Sequence, residues 1–384
     1  MKRRKRRIAP VVVSARAPQW RRWALIALSA ALCAAVGGVG WSLLSKRGHA
    51  EPEVIEGDGV KGPGGMVWVP GGEFLMGSDH KLAQRNERPA HKVRVRGFWM
   101  DKTHVTNAEF AAFVKSTGHV TTAERKPDWE TIRVQVPPGT PKPPDSVLVP
   151  GAMVFVGTQK PVRLDDWSQW WAYVPGASWR RPQGPGSSIE GKEEHPVVQV
   201  SYEDALAYAK WAGKRLPSEA EWEFAARGGL EQATYAWGEE LVPEGQRMAN
   251  YWDVKQGPFP VMRVSVGTSP AGTYPPNGYG LRDMTGNAWQ WVADWYDADF
   301  FAGQAKLAKV ADPKGPAQSY DPDDASAPLH APKRVTRGGS FLCNVSYCLS
   351  YRPSARRGTD PFNPMSHIGF RLVMDQKDWE ERRK

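Results

Sequence analysis

Cysteine is the scarcest informative residue of this sequence, with three in 384. Cys33 lies in an apolar run, so only Cys343 and Cys348 remain for everything downstream. That excludes a secreted scaffold held by several disulfides. Histidine is thin too: eight residues, at 49, 80, 91, 104, 119, 195, 330 and 367, with no HExxH or other paired spacing. A zinc site built from them lacks its ligands. Acidic residues are absent from positions 1–50, where eleven Lys/Arg stand. The net charge of +10 is therefore a property of the tail, and elsewhere 40 basic residues face 41 acidic ones. A folded region so close to neutrality lacks the footprint of a nucleic-acid binder, and no nucleic-acid partner is expected. No repeat of fixed period runs through the chain.

Charge is also missing from Trp23 to Leu44, a run of 22 residues. A helix of that length crosses the bilayer core. Nine Lys/Arg precede it and Lys46-Arg47 follow. The positive-inside rule then keeps the N-terminus in the cytoplasm and sends the rest outside, to a bacterial periplasm or its equivalent. A cleaved signal peptide is the rival, but its apolar stretch is normally shorter and Gly48-His49-Ala50 is a poor cleavage site. The expected order is a basic cytoplasmic tail over 1–22, a transmembrane signal anchor over 23–44, a Gly/Pro-rich linker over 45–65 and one folded domain over 66–384.

Within that domain three helices are legible. Thr106-x-x-Glu109, Ser201-x-x-Asp204 and Ser218-x-x-Glu221 are capping patterns, each followed by a spaced apolar face and a glycine stop at 118, 213 and 228. Glu219, Glu221 and Glu223 read most simply as charges favourable near a helix N-terminus. Strands are expected over Lys92–Phe98, Val197–Val200, Val335–Phe341 and Gly369–Val373. Residues 124–196 read as long and irregular. The fold class is α+β, loop-rich, with 18 tryptophans supplying bulk where regular elements do not.

The chemistry concentrates in Arg334–Arg352, RVTRGGSFLCNVSYCLSYR. Residues five apart lie about 16 Å apart on a strand and about 140° apart around a helix. Cys343 and Cys348 can therefore cooperate only if Asn344-Val345-Ser346 turns. Three readings stay open on spacing alone: a structural disulfide, a two-thiolate site suited to a soft ion such as Cu(I), or two buried thiols. Asp321-Pro322-Asp323-Asp324 reads as a solvated loop.

The pattern Arg334-Val335-x-x-Gly338-Gly339-Ser340-Phe341-x-Cys343-x-x-x-Tyr347-Cys348-x-x-Tyr351-Arg352, closed by Gly369-Phe370-Arg371, resembles the active-site signature of formylglycine-generating enzymes, the sulfatase-modifying factors. Further matches run in family order from about residue 66 to 374. They include Thr106–Phe110, Trp179-Arg180, His195-Pro196-Val197, Trp211–Glu223, Pro275–Leu281 and Gly286–Trp289. The resemblance implies a single domain of the C-type-lectin-like superfamily behind the membrane helix. It implies an O2-dependent, copper-dependent oxidoreductase that converts the cysteine of a Cys-x-Pro-x-Arg segment to Cα-formylglycine. The client is an unfolded sulfatase polypeptide, and the enzyme is expected to be a monomer.

Residue by residue, the resemblance gives Cys343 and Cys348 as the Cu(I) ligands, with Cys348 more exposed to the client. Ser340 becomes a donor in the oxygen pocket, where the plain reading is a turn serine. Trp289, Tyr347, Arg352 and His367 line the client groove, His367 standing where asparagine is usual. Structural Ca2+ is implied at Asp283, Gly286, Ala288 and Gln290, with Asp283 and Gln290 in place of the usual Asn and Glu. A first Ca2+ site resembles Asn250 with the Tyr251 carbonyl. Its acidic partner is missing and Arg263 stands nearby, so that site is expected to be empty or altered. Two rivals share the fold: a non-catalytic binding or scaffold protein, and an iron-dependent oxidase. The second wants clustered histidines, which this chain lacks.

Overall fold

The computed structural model describes residues 52–383. The basic tail over 1–22 and the apolar run Trp23–Leu44 lie outside them. Among the described residues no helix is long and apolar enough to cross a membrane.

A three-stranded antiparallel sheet, in the order β1-β4-β11, joins Met66–Val69 (β1), Phe98–Asp101 (β4) and Val373–Met374 (β11). The hairpin-like pair Gly72–Met76 (β2) and His91–Val95 (β3) packs nearby. In β3, His91, Val93 and Val95 are buried while Lys92 and Arg94 are exposed, the two-residue period of a half-buried strand. The sheet that matters for the site is four-stranded. Its order is Ile368–Gly369 (β10), Trp289–Trp295 (β7), Arg334–Arg337 (β8) and Arg356–Thr359 (β9), with β10 parallel to β7 and the rest antiparallel.

The three capped helices form as their sequences require. Asn107–Thr117 (α1), Tyr202–Ala212 (α3) and Glu219–Arg227 (α4) each close a full capping box and end on a left-handed glycine. A short helix, Trp129–Arg133 (α2), and the strands Gly151–Phe155 (β5) and Trp171–Pro175 (β6) give order to the 124–196 stretch expected to be irregular. Phe300–Gln304 (α5) and Gln376–Arg382 (α6) complete the helices.

Helix α4 fixes the sheet from below. Trp222 is fully buried, and its indole N–H donates to Gln290 Oε1 at 2.8 Å. Truncating such a side chain typically costs about 3–5 kcal/mol. Two glutamates of the same helix do more than the helix-terminus reading expected. Glu219 pairs with Arg337 at 2.7 Å and Arg356 at 2.7 Å, and Glu223 with Arg337 at 2.6 Å and Arg227 at 2.7 Å. All five groups are buried. Glu219 and Glu221 both stand in the first turn as expected, and Glu221 closes the cap by accepting from the Ser218 N–H at 2.8 Å. This ion network anchors β8 and β9, the strands on either side of the cysteine segment.

Two further expectations are corrected. Residues 52–65 are not a free linker. Trp68 N donates to Ile55 O and Gly57 N to Met66 O, each at 2.8 Å, so this stretch docks along β1. Val197–Val200 makes no strand, because Gln199 adopts φ +61° and interrupts the extended backbone.

Candidate active site

Strand β8 ends where glycine is required. Gly338 has φ +90°, and a Cβ there would stand 2.6 Å from Met284 O. Gly339 follows at φ +70°. The chain then folds back through Ser340-Phe341-Leu342 into the cysteine loop. Asn344 Oδ1 accepts from Ser346 N at 2.9 Å, and Asn344 O accepts from Cys348 N at 3.2 Å and Leu349 N at 3.0 Å. This is the turn that the five-residue spacing demanded. It brings Cys343 and Cys348 to a Cα separation of 4.9 Å, joined as a disulfide. Asn344 is buried, and its side chain serves the turn.

The sulfur pair lies in the wall of a cavity of about 270 Å³. Six residues singled out from the sequence share that wall: Cys343, Cys348, Ser340, Trp289, Tyr347 and His367. They come from β7, the cysteine loop with the turn that leads into it, and the residue before β10. Trp289 N donates to His367 O at 2.9 Å, which couples two of the walls. Cys343 and Ser340 are buried, while Tyr347 is exposed at the mouth. Tyr347 stacks on Phe259 with ring centroids 4.9 Å apart and meets Trp170 edge-on at 5.7 Å. The His367 ring packs against Trp171 at 4.7 Å. Burial, and then the charge of Arg357, hold its pKa well below the usual value, so the ring is neutral. Its Nδ1 is buried and has no partner.

Arg352 does not belong to the site. It is buried and forms a bidentate pair with Glu87, at 2.7 and 2.6 Å, while its Nε donates to Leu349 O at 2.9 Å. Its role is to brace the far end of the cysteine loop.

Other wall residues carried no signal in the sequence. Met153, Trp171 and Phe259 come from irregular or unassigned stretches, and Asp360 follows β9. Asp360 is half-buried in the cavity wall, and loss of solvation there pushes its carboxyl up to about 7. Its Oδ1 accepts from Phe362 N at 2.9 Å, and none of the ion pairs among the described residues includes it. Lys333, on the same wall, is already held by Asp321 and Asp324 at 2.6 Å each. The acidic loop is therefore partly an internal anchor.

The donor set of the pocket fits Cu(I) once the disulfide is reduced. Two thiolates of one turn, among aromatic rings and the thioethers of Met153 and Met365, suit a soft ion of low coordination number. Among the described residues no group of three or more His, Cys, Asp or Glu offers a rival metal centre. The oxygen sets assigned to Ca2+ fit poorly. Gln290 Oε1 already accepts from Trp222 and Arg371, which turns the amide nitrogen, a donor, toward the carbonyls of Met284 and Asp283. The Ala288 carbonyl accepts from His104 Nε2 at 2.9 Å, and the Tyr251 carbonyl is occupied by Arg247.

A mixed α/β domain whose paired sulfurs line a cavity at the end of a short sheet defines the class. The family model described as "Sulfatase-modifying factor enzyme 1-like domain" matches residues 51–376, and the chain belongs to this formylglycine-generating enzyme family. It is similar to the formylglycine-generating enzyme of Thermomonospora curvata, 45% identical over 318 residues, covering 81% of this chain and 93% of that protein. The enzyme of the same name from Mycobacterium tuberculosis is 46% identical over 323 residues, covering 81% and 97%. Among solved structures, PvdO from Pseudomonas aeruginosa aligns with TM-score 0.49 and 25% identity, over 81% of this chain and 94% of that one.

Proposed function

We propose that this chain oxidises a cysteine of a sulfatase polypeptide to Cα-formylglycine, using O2 and Cu(I) held by Cys343 and Cys348. The observation that carries the reading is the placement of the two sulfurs. They line a cavity with an exposed aromatic mouth, beside a neutral histidine whose Nδ1 is unpaired.

Cu(I), when bound, supplies the electron-transfer chemistry with O2 that no side chain of this pocket offers. The protein's own residues do the rest. Cys348 is the more exposed of the pair and is the sulfur a client thiolate reaches. The client loses two electrons and two protons across its Cβ–S bond, with O2 as their acceptor. One water then hydrolyses the C=S bond so formed, leaving the aldehyde and releasing the sulfur as sulfide. Tyr347, Phe259 and Trp171 bury the segment around the reacting cysteine and exclude water. His367 Nδ1 bonds to the client main chain, and Ser340 bounds the space beside the sulfurs. A client arginine meets the Asp360 carboxylate, the unpaired acid of the wall, in a charge-assisted contact. The apolar run Trp23–Leu44 anchors the domain to a membrane with the cavity outside the cytoplasm.

The closed disulfide favours one other reading, a purely structural cross-link. One assay separates the two. The full chain is reduced, stripped of copper, then given copper and a Cys-x-Pro-x-Arg peptide, and the aldehyde is read by mass. Aldehyde should appear only with copper. Cys343→Ser and Cys348→Ser should bind no Cu(I) tightly and form no product. A structural cross-link instead predicts a stability loss of about 2–4 kcal/mol in both variants and no effect of copper.

A further inference from the structure

Both oxygen clusters that the family resemblance assigns to Ca2+ already hold a positive charge supplied by the chain. At the first, Arg247 gathers three oxygens of one turn. Its Nε donates to Ala249 O at 3.0 Å, one Nη to Tyr251 O, and the other to Asp253 Oδ2 at 2.6 Å. The guanidinium also lies 4.5 Å from the Tyr251 ring centroid. The Asn250 side chain turns its nitrogen to Gly267 O at 3.0 Å and to Asn287 Oδ1 at 3.3 Å.

At the second cluster the cation is Arg371, which is fully buried. Its Nε donates to Gln290 Oε1 at 2.8 Å, and one Nη to the carbonyls of Arg282 and Asp283 at 2.8 Å each. The other Nη reaches Asp101 O at 3.3 Å and Lys102 O at 3.4 Å. Gln290 Nε2 adds a bond to Met284 O at 2.9 Å. Burial lowers the Arg371 pKa to about 10, so the group stays charged at neutral pH. One buried oxygen, Asp283 Oδ1, has no partner. A calcium cage needs about six to eight oxygens at about 2.3–2.6 Å, and the two oxygens this set leaves open, Asp283 Oδ1 and the Gly286 carbonyl, do not make one beside a fixed guanidinium.

We propose that Arg247 and Arg371 are the structural cations of this chain, and that the domain is complete without Ca2+. A guanidinium presents several N–H donors in a fixed plane and keeps its charge at every physiological pH. Tethered to the chain, it holds the Ala249–Asp253 turn and the Arg282–Met284 segment at any external calcium concentration. The inference does not rest on the oxidase reading, because its test reads stability and metal content alone.

The experiment uses the full chain without substrate or copper. Melting temperature is measured in EDTA and in excess Ca2+, and calcium is counted by elemental analysis after dialysis from Ca2+. The expected result is coincident melting curves and no retained calcium. A ligand that binds only the folded state must raise the melting temperature. A rise with Ca2+, or one calcium retained per chain, overturns the proposal whatever any variant does. Arg247→Ala should melt lower than the parent, with no recovery on adding Ca2+. Unchanged melting of that variant removes Arg247 from its assigned role.

Discussion

Arg352 is where the sequence and the structure lead to opposite experiments. As a groove residue, its loss would weaken client binding and leave the fold alone. As the structure places it, the reverse holds. Arg352 and Glu87 have side chains 2% and 1% exposed, joined by two bonds of 2.7 and 2.6 Å. Ser354 Oγ donates to the same carboxylate at 2.7 Å. Arg352→Ala therefore leaves Glu87 buried with its main counter-charge gone. Breaking such a pair from one side costs about 3–5 kcal/mol, a large part of the roughly 5–15 kcal/mol that holds a domain together. The melting temperature should fall by on the order of 10 °C. Removing both charges together, Arg352→Met with Glu87→Leu, should recover most of the loss, because two apolar groups of similar bulk carry no unpaired charge. Denaturant melts of the parent, both single variants and the double variant form a thermodynamic cycle whose coupling term measures the pair. The assignment of Arg352 as a brace is refuted by one pattern: Arg352→Ala melts like the parent and its KM for a client peptide rises.

Asp360→Asn should raise KM at least about tenfold for a peptide carrying the client arginine, with little change for the same peptide with alanine there. An equal effect on both peptides would remove Asp360 from arginine recognition. Burial, and then the charge of Glu219, push the Asp294 carboxyl up to about 7. Because the folded pKa lies above the unfolded one, this group's contribution to stability falls as pH climbs from about 4 through about 7. Asp294→Asn should flatten that part of the urea-midpoint profile, and an unaltered slope in the variant would contradict the assignment. Protease added to spheroplasts, whose outer membrane has been opened, should digest the domain after residue 50, and protection there would place the cavity on the cytoplasmic side.

The helices were legible because their signals are local. Thr106 with Glu109, Ser201 with Asp204 and Ser218 with Glu221 each close within one turn, and a glycine ends each helix. The cysteine turn was legible for a similar reason, since its geometry lies within six consecutive residues. What remained hidden depends on partners far along the chain. Arg352 finds Glu87 across 265 positions and Glu219 finds Arg356 across 137, and no spacing rule reaches so far. The strand expected over Val335–Phe341 stops at Arg337 because Gly338 turns left-handed to clear the Met284 carbonyl. Strand β7 carries no two-residue alternation. Trp289 through Val292 are all buried, because both faces of the strand are covered. Asp360 looked like any loop acid until the cavity enclosed it.

The β1-β4-β11 sheet has a consequence for how the protein is made. Its first and last strands flank β4, so the sheet waits for Val373–Met374 to arrive. The cavity waits with it, since its walls draw on residues from 135 through to 368. Contacts this distant form late and slowly. A ribosome that stops just short of β10 thus releases a chain with both thiols in place. In that chain Trp289 lacks its parallel neighbour, and the sulfurs sit in a pocket open on one side.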